Sequence, residues 1–405
     1  MSAAAARRRK QLAAKAAASG QDPITAKMDS LLATDDLSES TAYEALQLAQ
    51  SQVRKCVISG DYTKATITYA YDVLVKLLEK GKASVASQLM TLLVQVLNET
   101  HTTCDKGWIE RIQKLSDHNV IAVKALKSTN EAESKRLMKL HAKFLKSVVA
   151  WSNVLGNIRF GALEFNKLLG EQLWEMSETQ AENSTSTEEE ADAEPGADDY
   201  TQVGLQSDSI TYYTLAEDVD SIITKLSTLP EPTDEETAQN HACPPSIRES
   251  LLTRSMLLFL SIENIRDAHK LLTTYLEKIE TRDLEELKKS YMSKTDGKAT
   301  SHPIFLSMLL EICRKNAKTG PLFNWALKSF NMELSKMHKP DVLKMYTNNI
   351  GKIYFNIMPP PSMMATIENM MSMMGGAGGM GGGMPPGGIN PAMMQAMMSG
   401  MGGGM

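Results

Sequence analysis

The sequence predicts an all-α protein, an α-solenoid of antiparallel helix hairpins of the tetratricopeptide-like kind. Three observations favour this fold class. Apolar residues recur at helical spacing through most of the 405 residues, short glycine-containing joints separate the apolar stripes, and no segment alternates as a strand would. Helices joined by brief turns run antiparallel, and stacked pairs bury their apolar faces against their neighbours. The repeat length is irregular, and no strict tetratricopeptide consensus is present.

The first apolar stripes lie between residues 40 and 100, and each follows the i, i+3, i+4, i+7 spacing of one helix face. They are Leu46, Ala49, Val53 and Val57; Ile67, Ala70, Leu74 and Leu77; and Val85, Leu89, Leu93 and Val96. Gly60 and Gly81 stand in the joints between stripes, where glycine commonly ends a helix. Joints this short predict that consecutive helices form hairpins.

Further stripes continue the pattern towards the C-terminal end. They are Leu137, Leu140, Phe144, Val148 and Leu155; Ile158, Ala162, Phe165, Leu169 and Leu173; Leu252, Met256, Phe259 and Leu260; Leu272, Tyr275, Leu276 and Ile279; Phe305, Leu309 and Ile312; Leu322, Trp325, Ala326 and Phe330; and Leu343, Tyr346, Ile350 and Phe355. Each set is expected to place one face of a helix in the core.

Composition divides the chain into five segments. We expect a basic, disordered segment at 1–39, the N-terminal half of the solenoid at 40–176, an acidic disordered insertion at 177–206, the C-terminal half at 207–358 and a Met/Gly-rich tail at 359–405. No lysine or arginine lies between Lys167 and Lys225, while carboxylates crowd into 188–199, as in solvated segments. The start, which has no acid before Asp22, fits a solvated basic tail or an organelle transit peptide.

Charge and cysteine content narrow the function classes. A net charge of −5 argues against a general nucleic-acid surface. No apolar run approaches the ~20 residues of a membrane span, so no stable membrane insertion is expected. The cysteines, which form no C-x-x-C pair, are expected to be reduced core residues of a cytosolic protein. They are Cys56, Cys104, Cys243 and Cys313.

No catalytic constellation is found. The seven histidines are scattered, and neither H-E-x-x-H nor G-x-S-x-G occurs. A formal G-x-G-x-x-G at Gly376, Gly378 and Gly381 lies in the Met/Gly-rich tail without a preceding strand, so it reflects composition. We therefore predict no enzyme activity, no catalytic residue, no cofactor and no metal. A cryptic enzyme remains an alternative that a cofactor bound on purification would reveal.

Three stretches together carry a family resemblance. They are "GDY" from Gly60 to Tyr62, "FLSMLLEI" from Phe305 to Ile312, and "GKIYFNIMPP" from Gly351 to Pro360 followed by "MMS" at 370–372. In this order they resemble the Get-four family, the α-solenoid adaptors of the guided-entry pathway for tail-anchored membrane proteins and subunits of the transmembrane-domain recognition complex. The resemblance covers 40–175 and 245–375. The acidic insertion, the basic start and the extension beyond Gly376 depart from the family pattern.

The resemblance implies a cytosolic adaptor that targets tail-anchored proteins to the endoplasmic reticulum after their synthesis. Family members hold a dimeric targeting ATPase with the N-terminal half and a ubiquitin-like domain protein with the C-terminal half. That second partner recruits a glutamine-rich co-chaperone, through which tail-anchored clients arrive. The alternative is a tetratricopeptide- or PCI-like scaffold subunit of another cytosolic complex.

Carried over residue by residue, the resemblance marks two partner-binding regions. Asp61 and Tyr62 match the region that faces the ATPase. The region facing the ubiquitin-like partner is matched by Phe305, Leu306, Tyr354 and Phe355, together with the 291–303 loop, where Asp296-Gly297 favours a tight reversal. Core burial is the alternative for the apolar positions of this region, above all for Leu309 and Ile350.

The tail contains one further candidate site. "INPAMMQAMM" resembles the Met-rich helices of co-chaperones that hold transmembrane segments, with Asn390 as helix cap and Pro391 in the first turn. Methionine adapts to varied apolar partners. The thioethers expected to contact a client are those of Met393, Met394, Met397 and Met398. A helix this short forms only when a client covers it. The alternative is a low-complexity end without this role.

Overall fold

A computed structural model of the chain describes residues 23–34, 37–156, 158–181, 200–230, 246–280, 283–293 and 301–357. These ranges contain sixteen α-helices, two π-helical segments and one 3-10 turn, with no strand among them. The helices follow one another as hairpins, in which most helices contact the next helix and the next but one. The prediction of an all-α solenoid is confirmed.

Seven α-helices build the N-terminal half. They are α1 Pro23–Leu32, α2 Glu39–Ser59, α3 Asp72–Glu79, α4 Ala83–Glu99, α5 Lys106–Lys127, α6 Glu131–Leu155 and α7 Leu163–Ala181. A π-helix, Lys64–Tyr71, runs directly into α3. The joints are those that the glycines predict. Gly60 (φ 80°) donates its N–H to the carbonyls of Cys56 and Val57, and Gly81 (φ 69°) donates to that of Leu78.

Nine α-helices build the C-terminal half. They are α8 Gln202–Leu215, α9 Val219–Thr228, α10 Ile247–Ser261, α11 Ile265–Tyr275, α12 Leu284–Ser293, α13 Ser301–Arg314, α14 Gly320–Ser329, α15 Asn331–Ser335 and α16 Pro340–Phe355. A π-helical turn, Leu276–Glu280, extends α11, and a 3-10 turn, Ala317–Thr319, precedes α14. The last helix, α16, departs from the solenoid order because it packs back against α10.

Polar contacts hold α16 in this position. The guanidinium of Arg254 on α10 is buried and donates to the main-chain carbonyl of His338, just before α16. Beside it, the Lys339 ammonium pairs with the Asp208 carboxylate of α8 at 3.2 Å. Burial lowers the pKa of Arg254, because a charge that leaves water loses its hydration. These contacts join three helices that are distant in sequence.

The buried residues form two cores, which follow the two halves except that Trp174 of α7 belongs to the second core and Leu205 of α8 to the first. Most members of the predicted stripes are buried, so the stripes indicate the core faces of their helices. Leu322 and Trp325 are exceptions, since they are 53% and 59% exposed. Ile158 also departs from the predicted pattern, because it precedes α7 and lies outside any helix.

Three predicted boundaries differ from the structure. The basic segment 1–39 is not wholly unstructured: α1 forms at its end, and Met28, Leu32 and Leu37 are buried, since they supply apolar area that packs on α2. The acidic insertion is shorter than 177–206, because α7 continues to Ala181 and α8 begins at Gln202. The predicted loop at 291–303 is helical at both ends. Residues 1–22, 182–199, 294–300 and the tail 359–405 lie outside the described residues.

Candidate interaction surfaces

The turn between α2 and the π-helix presents an exposed surface, which we call the first-hairpin tip (Ile58, Asp61 and Tyr62). Ile58 is 87% exposed and Tyr62 is 48% exposed, although both are large apolar side chains. Gly60 ends α2 in a left-handed conformation, which turns the chain so that these side chains leave the core. The two residues predicted to face the ATPase therefore lie together on an accessible surface.

The Asp61 side chain is held by contacts with Lys64 at the start of the π-helix. Its carboxylate pairs with the Lys64 ammonium at 2.9 Å and accepts the Lys64 main-chain N–H at 3.4 Å. The hydrogen bond from Lys64 lowers the pKa of this exposed carboxyl. Arg54 and Lys55 lie exposed on the last turns of α2. The tip therefore combines apolar side chains with mixed charge.

The predicted contacts with the ubiquitin-like partner lie mostly in the second core. Phe305 and Leu306 on α13 have no exposed surface, and Leu309 and Ile350 are likewise fully buried. The alternative of core burial is therefore confirmed for Leu309 and Ile350. Phe305 and Leu306 offer a partner no surface in this structure, because α14 and its neighbours already cover them.

Tyr354 and Phe355 lie at the end of α16. Phe355 is buried and stacks on Phe323 of α14, with ring centroids 4.8 Å apart. Tyr354 is half-buried, and its hydroxyl is enclosed without a hydrogen-bond partner among the described residues. That burial raises the pKa of Tyr354, so the hydroxyl stays protonated. A buried hydroxyl without a partner is unusual in native proteins.

An exposed apolar surface that the sequence did not predict lies on α14 and α15, next to Tyr354 and Phe355. Helix α14 buries Phe323 and Ala326, while Leu322 and Trp325 on its other edge are exposed. Met332 on α15, which begins after the turn at Phe330, is 65% exposed as well. We call Leu322, Trp325 and Met332 the C-terminal apolar face. A signal was present in the sequence, because the apolar arc of α14 is much wider than the ~100° that one core contact needs.

The surroundings of the C-terminal apolar face are basic. Between residues 311 and 357 the chain carries eight lysines and arginines but only three carboxylates, although its net charge is −5. Six lysines of this stretch are exposed: Lys315, Lys318, Lys328, Lys336, Lys344 and Lys352. Such a surface attracts a partner that presents acidic residues around an apolar contact.

Two histidines and two cysteines of the described residues have shifted pKa values. No three His, Cys, Asp or Glu residues in these ranges lie close enough to hold a metal ion together. His141 and His302 are buried, and desolvation lowers the pKa of each to about 4. Burial raises the pKa of the Cys104 thiol to about 11 and that of Cys313 to about 12, so neither thiol is reactive. Cys243 lies outside the described residues.

Comparison with known proteins identifies the family. The model of the family described as Golgi to ER traffic protein 4 (GET4) matches residues 60–375 of the chain. The chain belongs to this family. GET4 membership places it in the guided-entry pathway as an α-solenoid adaptor and confirms the resemblance seen in the sequence. The matched range contains the first-hairpin tip from Gly60 onward and the whole C-terminal apolar face.

Solved structures include one with the same family name. The crystal structure of Get4 from C. thermophilum is 16% identical in sequence, with a TM-score of 0.49 over 90% of this chain and 98% of that one. A search of curated protein sequences finds no match. None of the helices in the described ranges is both long enough and apolar enough to cross a membrane. The four methionines predicted to contact clients lie outside the described residues.

Proposed function

We propose that the chain is a cytosolic adaptor that bridges two partners during the targeting of tail-anchored proteins. Its N-terminal half binds a dimeric targeting ATPase, and its C-terminal half binds a ubiquitin-like domain protein. A glutamine-rich co-chaperone and its tail-anchored client join indirectly through the second partner. The family match over residues 60–375 supports this proposal, because it spans both halves of the solenoid. The same match displaces the alternative of an unrelated tetratricopeptide- or PCI-like scaffold.

The C-terminal apolar face is the observation on which the proposal depends most. Trp325 is 59% exposed and lies beside exposed Leu322. Large aromatic side chains of this kind dominate binding energy when a partner buries them. The basic surroundings predict that the ubiquitin-like partner presents acidic residues here. Tyr354, whose hydroxyl lacks a partner, lies next to this region on Phe355.

The first-hairpin tip is the proposed contact with the ATPase. Ile58 and Tyr62 supply apolar area, and Asp61 and Lys64 supply paired charges that a partner can rearrange. Because the tip is the end of a hairpin, it can be contacted without opening the core. The two proposed contacts lie in opposite halves of the chain, so occupation of one leaves the other accessible.

A double dissociation tests the bridging function. The full chain and its variants are titrated with the purified ATPase dimer and, separately, with the ubiquitin-like protein, and heats of binding are recorded. Trp325→Ala is expected to weaken only the ubiquitin-like complex, by about 30-fold or more, as for a buried aromatic anchor. Tyr62→Ala is expected to weaken only the ATPase complex.

Val154→Ala is the matched control, because Val154 is 74% exposed and lies on neither surface. It is expected to bind both partners like the unchanged chain. Gel filtration of a mixture of the chain, the ATPase dimer and the ubiquitin-like protein should give one ternary complex. If the ATPase and the ubiquitin-like protein compete for the chain, the bridging function is wrong. The absence of enzyme activity and the client contact at Met394 remain predictions.

A further inference from the structure

The outward side of α6 is strongly basic. From Ser134 to Leu163 the chain has four lysines and two arginines but no aspartate or glutamate, although its net charge is −5. Lys139, Lys143 and Lys146 are spaced by four and three residues, so they lie on one side of the helix, away from most of its buried residues. All three are exposed or partly exposed. We call these three residues the α6 lysine face.

The carboxylates at the start of α6 already have cationic partners. Glu131 pairs with Lys135 at 2.9 Å, and Glu133 pairs with Arg136 at 2.7 Å. Lys143, in contrast, has no ion pair or hydrogen bond with any described residue. Like charges three or four residues apart on a helix repel each other. An anionic segment lying along the α6 lysine face would replace this repulsion with attraction.

The chain enters and leaves its acidic segment beside α6. Thr179, near the end of α7, lines one small cavity together with Ser134 of α6. After the segment, the ring of Tyr200 lies beside the Lys139 ammonium, which is 4.6 Å from the ring centre in a cation–π contact. Residues 182–199, which connect these two points, lie outside the described residues. The described residues on both sides of the segment are therefore held next to the α6 lysine face.

The composition and length of the segment match this face. Residues 182–199 contain eight carboxylates and no lysine or arginine. The face is ~10 Å long, because Lys139 and Lys146 are seven residues apart on a helix, whereas eighteen residues span up to ~60 Å. The segment is thus long enough to run along the face and return. Since it is tethered on both sides, its carboxylates are present at an effective concentration on the order of millimolar.

We propose that residues 182–199 dock on the α6 lysine face through their carboxylates. Lysine ammonium groups are compact point charges on flexible stems, so the contact requires no single fixed arrangement of the segment. The docked carboxylates neutralise the face and weaken its attraction for other acidic chains. This contact lies within the chain and does not depend on the proposed bridging function.

Carbodiimide crosslinking of the full chain tests the contact, because the reagent joins a carboxylate only to an amine that touches it. Mass spectrometry then identifies the joined peptides. We expect adducts between 182–199 and Lys143 or Lys146, with a yield that falls by about fivefold or more between ~50 mM and ~500 mM salt, since salt screens exposed charges. Lys315 and Lys318, which are exposed at the end of α13, should give no such adducts.

A charge exchange separates a specific contact from a chance encounter. Lys139→Glu together with Lys143→Glu should lower the yield of adducts at Lys146 by about fivefold or more, because two attractive charges become repulsive. Reversing charges in the segment as well should restore crosslinks between the segment and positions 139 and 143. The compensating changes are Glu188→Lys, Glu189→Lys and Glu190→Lys.

Lys315→Glu together with Lys318→Glu is the matched control, since it changes the net charge equally on another helix. It should leave the adducts between the segment and the α6 lysine face unchanged. The thermal unfolding of each variant is recorded, so that loss of the fold is not mistaken for loss of the contact. The segment variant alone leaves α6 intact and should also lose the adducts.

A free peptide of ten glutamates distinguishes the chain's own segment from a separate acidic partner. It is crosslinked to the unchanged chain and to a chain in which a glycine–serine linker of equal length replaces 182–199. We expect several-fold more adducts at Lys143 in the linker variant, because its α6 lysine face is no longer neutralised. If the unchanged chain gives no salt-sensitive adducts between the segment and the face, or if the peptide reacts equally with both chains, the proposal is wrong.

Discussion

The rings of Phe305 on α13 and Phe330 at the end of α14 pack with their centroids 4.6 Å apart and their planes tilted by 36°. Phe305 has no exposed surface, and Phe330 is only 9% exposed. The contact joins two helices whose sequences resemble the partner-binding end of a known family, yet its role here is to hold those helices together. Trp325, on the exposed edge of α14, is the side chain that a partner can reach.

Phe305→Ala should therefore act on stability. We expect it to lower the free energy of unfolding by about 3–5 kcal/mol, because it removes a buried ring and leaves a cavity. Trp325→Ala, the control, should change that free energy by less than about 0.5 kcal/mol, as exposed substitutions usually do. Urea denaturation followed by circular dichroism measures both. Equal losses for the two variants would contradict the assignment of Phe305 to the core and Trp325 to the surface.

Two glycines with positive φ, Gly60 and Gly161, differ in the space around them, so the effects of an alanine at each can be compared. Gly60 has φ 80° and open space around it, whereas a Cβ on Gly161 (φ 84°) would lie 2.8 Å from the Val149 carbonyl oxygen. Gly60→Ala should cost about 1 kcal/mol, the strain of a left-handed alanine. Gly161→Ala should cost at least ~2 kcal/mol more, because main-chain atoms cannot move aside easily. Thermal unfolding of the two variants tests the difference, which should vanish if the loop before α7 can shift freely.

The buried His141 predicts a pH dependence. Its pKa is about 4 in the folded chain, below the ordinary value of 6.5. As the pH falls from about 6.5 to about 4, the unfolded chain binds a proton at this position and the folded chain does not. The free energy of unfolding therefore falls over this window, by on the order of 3 kcal/mol for one such group. His141→Asn should flatten the curve.

The matched control for this curve is His269→Asn, which replaces an exposed histidine on α11. His302 is also buried with a pKa of about 4, so part of the dependence should remain in His141→Asn. Urea denaturation between pH 4 and pH 7.5 measures the slopes. A curve for His141→Asn that parallels the unchanged chain would show that the ring is protonated in the folded protein.

The end of α7 sets the limit of the acidic segment. Ser177 is fully buried and its hydroxyl donates to the Trp174 carbonyl, while Thr179 is also buried. Replacing 182–197 with a glycine–serine linker of equal length should leave the melting temperature nearly unchanged, because the acidic composition contributes little apolar area. Extending the replacement back to 177 should lower it by several degrees. Equal melting temperatures would show that the last turn of α7 is dispensable.

Asp61 predicts a salt dependence, which applies to the proposed ATPase complex. Asp61→Lys reverses a charge at the first-hairpin tip and removes the pair with Lys64. We expect an affinity loss of about two- to fivefold at 50 mM salt and a smaller loss at 300 mM, because screening weakens exposed charges. Asp61→Asn should have a smaller effect at both salts. A loss that does not change with salt would instead indicate a distorted turn.

Periodicity predicted the fold class but missed α5 altogether. This helix turns Ile112, Leu115 and Val123 into the core, yet Ser116 and Asn119 lie on the same buried face. Polar residues at core positions interrupt an apolar stripe, so a search for stripes passes over the helix. Ser116 Oγ lies 3.2 Å from His141 Nε2 of α6, so a polar contact stands on this face where an apolar one is expected. The polar residues that interrupt the apolar stripe therefore also make the buried face of α5 unusual.

The candidate surfaces were only partly predictable. The resemblance led to Asp61 and Tyr62, and the glycine at the helix end explains their exposure. Leu322 and Trp325 were assigned to the core, because apolar spacing does not show which edge of a wide apolar arc faces solvent. Phe305 and Leu306 show the converse, since a family motif can consist of residues that support a surface without forming it.

The return of α16 onto α10 has a consequence for how the chain is made. Nearly every residue of α10 from Glu249 to Ser261 is buried, and α16 provides part of that cover. Ribosomes add roughly 5–20 residues per second, so about 5 to 20 seconds separate the synthesis of Ser261 from that of Phe355. During that interval α10 is in the cell without its final neighbour, and Arg254 has not yet found the His338 carbonyl. A nascent chain of this adaptor therefore itself exposes an apolar helix that needs protection from aggregation until its last helix is complete.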